Sequence, residues 1–144
     1  MFSKFILFLF IFFISSCATN EVRVKDVNKP IKLIQSSVFR ALPNGKPKVD
    51  KSKRKFISKP FLSKAGIFIP VSNSRVYYIA SVEILGDRRP YTIFIESLKM
   101  VKNGQQYIMS GKSKTISGQV AKAILEELSK RLETSDMIDD FRAF

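Results

Sequence analysis

From Gly66 to Lys112 the chain alternates between short apolar runs and turn residues, and from Ser117 onward its apolar residues change to a spacing of four. The first pattern predicts strands and the second an amphipathic helix. Residues 66–71 read as a short strand in which Pro70 points to an edge or a bend. Val76 to Leu85, rich in β-branched and aromatic residues, reads as a long strand, with Tyr91 to Lys102 and Gln105 to Lys112 as the third and fourth. Asn103-Gly104 favours a two-residue hairpin turn, which would set Met100 opposite Tyr107 and Leu98 opposite Met109. Those pairs share a face with Phe94, while Tyr91, Ile93, Ile95 and Val101 make the other face apolar as well. One face meets the helix, and the other needs a second cover.

With Ser117 as cap, Val120, Ile124, Leu128 and Leu132 form a stripe over 117–133 that Ala121 and Leu125 widen. Thr134 and Ser135 read as its end, followed by a tail in which Asp136, Asp139 and Asp140 stand among Met137, Ile138, Phe141 and Phe144. Before the strands, Val22-Arg23-Val24-Lys25 is extended. Asn28 and Pro30 then open a short helix over 30–41 on the spacing of Ile31, Ile34, Val38 and Leu42. A strand is the rival there, because Ile31 and Leu33 also alternate and Ser36 and Ser37 are weak helix formers. The expected fold is α+β: a four-stranded antiparallel β-meander over residues 66–144, packed on one face by the C-terminal helix and preceded by a flexible basic tether at 17–65.

Charge sharpens the description of that tether. The chain carries a formal net charge of +13. Between Arg40 and Lys64 nine cations face the single acid Asp50, and Pro43, Pro47 and Pro60 interrupt the run. So few apolar residues argue that its first half is an exposed loop. It reads either as a solvated linker or as a patch for a polyanion, with Lys46, Lys48, Lys51, Lys53, Arg54, Lys55 and Lys59 as the candidate contacts. Phosphate attraction does not select nucleic acid over any other polyanion, and only Phe56 and Phe61 are available to stack on bases, so nucleic acid is disfavoured.

The first residues change the picture again. Lys4, an apolar run from Phe5 to Ile14, two serines and the only cysteine have the layout of a secretory leader with its cut site. The ten-residue run is half the roughly 20 residues that a membrane-spanning helix needs. Ile14-Ser15-Ser16-Cys17 is similar to the cut site of bacterial lipoproteins: an aliphatic residue, two small ones, then cysteine. The resemblance implies cleavage before Cys17 and a diacylglyceryl group on its thiol, with a further acyl chain such as palmitate on the new amine. It also implies that Ala18, where an aspartate would favour the inner membrane, directs the protein to the outer membrane, facing the periplasm. Residues 1–16 would then be a signal peptide, taking with them six of the thirteen phenylalanines.

Chemistry is narrowed by what the composition omits. There is no histidine, and with Cys17 lipidated no thiol is left for a disulfide or a metal. Glu83 and Glu96, on neighbouring strands, are a conceivable carboxylate pair for glycoside cleavage, although each is better placed at a solvated position or opposite a lysine. The three tail aspartates lack the ordered spacing and the glycine of a calcium loop. No phosphate loop is present, no cofactor is implied, and no metal site is expected. The sequence thus points to a non-catalytic envelope lipoprotein, held at a membrane by Cys17, that serves as an accessory subunit and binds an envelope protein. The alternative is direct binding of an anionic glycolipid or wall polymer through the basic segment.

Overall fold

The computed structural model describes residues 19–141, with side chains as far as Leu132. Cys17 and the cut-site residues Ile14, Ser15 and Ser16 lie outside the described residues. So do Phe144 and the side chains of Asp136, Met137, Ile138, Asp139, Asp140 and Phe141.

Eight strands, all paired antiparallel, form one sheet: β1 (Val22–Val27), β2 (Lys48–Val49), β3 (Lys55–Ile57), β4 (Phe61–Lys64), β5 (Ile67–Pro70), β6 (Val76–Leu85), β7 (Tyr91–Asn103) and β8 (Gln106–Lys112). Among the described residues two helices accompany them, α1 (Ile31–Ala41) and α2 (Lys114–Phe141). The long strands β6 and β7 are the spine, in register from Val76 opposite Val101 to Leu85 opposite Thr92. Shorter strands lie end to end along each flank. β1 and β8 share the free edge of β7, and β3 and β4 share that of β6.

This is an α+β protein, but the sheet is larger than a four-stranded meander. The segment expected as a flexible basic tether supplies β1, α1, β2, β3 and β4, and the expected boundary at 65/66 falls inside the β4–β5 hairpin. The density of lysine hid a period-two pattern. Phe56 and Ser58 point inward and are buried, while Lys55, Ile57 and Lys59 between and around them face solvent. Ser58 anchors the bend between β3 and β4: its amide donates to the Ala80 carbonyl at 2.8 Å, and its hydroxyl accepts from the Ala80 amide at 2.9 Å. Consequently β5 does not pair with β6 as a meander requires, because β4 stands between them.

Alternation then sorts the sheet residues. Ala80, Val82 and Ile84 of β6 and Ile93 and Ile95 of β7 are buried and belong to one core with Val120, Ile124 and Leu128 of α2 and Ile34 and Val38 of α1. Both helices therefore lie on the same side of the sheet. Ser37, fully buried, donates to the Leu33 carbonyl at 2.8 Å, which satisfies its hydroxyl inside α1 and keeps a small residue on the buried side. In β1, the extra residue at Asp26 (φ 58°) resets the parity so that Val27, like Val22 and Val24, turns to the core.

Two local expectations shift by a residue or more. The β7–β8 turn is Gly104-Gln105, closed by Asn103 opposite Gln106, with Gly104 alone at positive φ (64°). A glycine at the first central position is the other favoured hairpin turn. Met100 therefore faces Met109, Tyr107 faces Lys102, and a bulge at Ser110-Gly111 brings Lys112 opposite Leu98. The second shift is in α2, which starts at Lys114. Its cap is Ser113, whose hydroxyl accepts from the Ile116 amide at 3.3 Å, whereas Ser117 lies inside and is buried. The helix passes Thr134 and Ser135, since no glycine or proline stops it before Phe141. Leu125 is 42% exposed and does not widen the buried stripe.

Candidate functional site

With both helices on one side, the other face of the β6–β7 spine has no second layer among the described residues. Ile79 and Leu98 are directly opposite each other there, as are Tyr77 and Met100, and all four are only half-buried. Met109, across from Met100, is 60% exposed. Each end of this apolar strip is tied down. Tyr77 packs on Tyr107 with ring centres 4.6 Å apart, and the Tyr107 hydroxyl donates to the Ser74 carbonyl at 2.9 Å. At the other end the Arg23 guanidinium lies 5.3 Å over the Phe94 ring.

The two glutamates considered as a carboxylate pair stand on this open face. Glu96 accepts an ion pair from Lys112 at 2.6 Å, and that hydrogen bond holds the Lys112 ammonium above its ordinary pKa. Glu83 is opposite Lys55 in register. Glu96 is thus ion-paired to a lysine on the neighbouring strand and Glu83 faces one in register, an arrangement usual on a sheet surface. Among the described residues no group of three or more His, Cys, Asp or Glu side chains is placed to hold a metal ion. No described helix is long and apolar enough to cross a membrane.

The seven basic candidates do not form one patch. Lys48 and Lys55 lie on the open side of the sheet, Lys46 and Lys59 lie at the base of the β2–β3 hairpin, and Lys51, Lys53 and Arg54 form its tip. That tip is ordered. The Asp50 carboxylate accepts from the amides of Arg54 (3.0 Å) and Lys55 (2.9 Å) and from the Ser52 hydroxyl (2.5 Å). The Ser52 hydroxyl first, then the backbone amides, hold Asp50 below its ordinary pKa. Arg54 is already engaged: it donates to the Gly86 carbonyl at 2.5 Å and lies 5.9 Å from the Tyr91 ring centre.

These contacts draw in cations that the sequence run did not contain. The Gly86 contact joins the hairpin tip to the β6–β7 loop, which bears the exposed Arg88 and Arg89. On the other side, Gln35 of α1 donates to the Lys53 carbonyl at 2.9 Å, so the exposed Lys32 sits one turn from the tip. Between α1 and the hairpin lies an open groove of about 480 Å³, lined by Lys32, Gln35, Ser36, Phe39, Val49, Lys53 and Phe56. Lys32, Ser36 and Phe39 fall on one side of α1 by helical spacing, a signal present in the sequence but overshadowed by the buried stripe.

Comparison with protein-family models, curated proteins and solved structures finds no match for the chain.

Proposed function

We propose that the protein is a non-catalytic lipoprotein of the bacterial cell envelope, anchored through Cys17 and working as an accessory subunit that docks a protein partner on its open sheet face. The observation that carries the reading is the leader ending in Ile14-Ser15-Ser16-Cys17, because it joins an apolar run too short to span a bilayer to a cysteine at the cut site. The strip of Tyr77, Ile79, Leu98 and Met100 supports a docking role, since a partly buried apolar strip bordered by charged pairs is the composition of an interface centre with a polar rim.

The test has two parts. A Cys17→Ser variant leaves the membrane fraction and loses the mass of the lipid, whereas unchanged mass and fractionation refute the anchor. From detergent-solubilised envelopes the native protein retains a partner that a Leu98→Asp variant, equally folded and lipidated, does not. Equal retention by both refutes the docking face.

A second reading is favoured by one observation. The Gln35–Lys53 and Arg54–Gly86 contacts gather Lys32, Lys53, Arg88 and Arg89 from three segments at one end of the sheet. A polyanion such as a wall polymer or the phosphates of a glycolipid is the matching partner. Its binding weakens with salt, while docking on the apolar face does not.

A further inference from the structure

The groove between α1 and the β2–β3 hairpin has a chemistry that neither the core nor the charge explains. Phe39 is 38% exposed and lines it rather than joining the core, and Val49 and the edge of Phe56 complete an apolar wall. Lys32 and Lys53 stand at its margin, both exposed, and among the described residues neither ammonium is ion-paired to a carboxylate. The margin is also fixed. Lys53 has a left-handed backbone (φ 56°), held by its amide donating to the Asp50 carbonyl at 3.1 Å and by Gln35 donating to its own carbonyl. A volume near 480 Å³ lies within the range of about 300–1,000 Å³ usual for small-molecule sites.

We propose that the groove binds an anionic amphiphile, with a single alkyl chain along Phe39, Val49 and Phe56 and its phosphate or carboxylate head between Lys32 and Lys53. This gives a ligand class to the basic end of the sheet and rests on the polyanion reading for the sign of the charge alone. A bare phosphate leaves the apolar wall wet, and an uncharged amphiphile leaves both ammonium groups without a counter-charge. A polymer that reads only charge gains nothing from Phe39. The groove is on the helix side of the sheet, so docking on the open face neither requires nor blocks it.

The experiment titrates the mature chain, residues 17–144 carrying Cys17→Ser, which without leader or lipid keeps detergent out of the assay, with dodecyl phosphate below its micelle concentration. Binding is followed by the amide shifts of Gln35, Val49 and Lys53. Saturable one-to-one binding is expected, weakened at least about tenfold by Phe39→Asp and by the pair Lys32→Glu and Lys53→Glu. Inorganic phosphate and dodecyl maltoside bind at least about tenfold more weakly than dodecyl phosphate. Reversing Lys64 and Lys102 to Glu, an equal change of net charge elsewhere, leaves binding within about twofold. Phe39→Ala, which keeps the helix without introducing a charge, also weakens binding and shows that loss in Phe39→Asp is not misfolding. The proposal is overturned if Phe39→Ala and Phe39→Asp bind as the parent does, if inorganic phosphate binds equally well, or if the remote reversal costs as much. Polyphosphate binding that survives Phe39→Asp while dodecyl phosphate binding is absent overturns the groove and leaves the polyanion reading standing.

Discussion

The two faces of the β6–β7 spine are built from similar residues and end in opposite states. On one, Ala80, Val82, Ile84, Ile93 and Ile95 are almost wholly buried beneath α1 and α2; on the other, Tyr77, Ile79, Leu98 and Met100 remain only partly buried. Side-chain hydrophobicity does not distinguish them. Position along the connections does, because α1 follows the edge strand β1, α2 follows the edge strand β8, and both cross to the same side. Among the described residues the second face is left uncovered by topology, which makes its apolar strip a property of the surface and not of the core.

The sharpest way to break the comparison is to delete the same volume from each face of β7. Ile95→Ala removes methylenes from a fully buried site and is expected to lower stability by about 2–5 kcal/mol. Leu98→Ala, three residues away and facing the open side, is expected to cost no more than about 1 kcal/mol. Urea unfolding midpoints measure both. Equal losses mean that something covers the open face in the free protein. A smaller contrast comes from two serines at the junction of β7 and α2. Ser113→Ala removes the cap of α2 and should destabilise by about 1 kcal/mol. Ser97→Ala removes a fully buried hydroxyl that has no hydrogen-bond partner among the described residues, and should raise stability by up to about 1 kcal/mol. A destabilised Ser97→Ala shows instead that the hydroxyl finds a partner in solution.

Much of this architecture is legible in the sequence where local pattern and tertiary context agree. The bounds of β6, the start of β7 and the short helix α1 follow from alternation, turn residues and three-four spacing alone. What the sequence hides are choices made between distant segments. Gly104 takes the first turn position and not the second, so the partner of Met100 in β8 moves by two residues, from Tyr107 to Met109. The run from Lys46 to Lys64 looks unstructured because its charges dominate its composition, yet with Phe56, Ser58 and Phe61 facing inward it joins β6. For the same reason the groove was not visible. Phe39 is ten positions from Val49 and Lys32 is twenty-one from Lys53, and the two sides meet only in the folded chain, where the Gln35–Lys53 hydrogen bond ties them.

That hairpin offers the smallest effect and the most local one. Its tip decides the register in which Lys55 faces the open side while Phe56 enters the core, and the tip is held by one carboxylate. Because the Ser52 hydroxyl and the amides of Lys55 and Arg54 favour the charged form, Asp50 titrates below its unfolded value of 3.8. A lowered folded value means that the contribution is complete above pH 3.8 and is lost as pH falls through the folded pKa. The group is exposed, so screening keeps the effect on global stability small, and the amide shifts of Arg54 and Lys55 are the sensitive measurement. They should inflect together below pH 3.8, and Asp50→Asn should abolish the inflection without moving the amides of β6 and β7. An inflection at the ordinary carboxylate value would mean that the tip is loose in solution, and with it the margin of the groove that Lys53 forms.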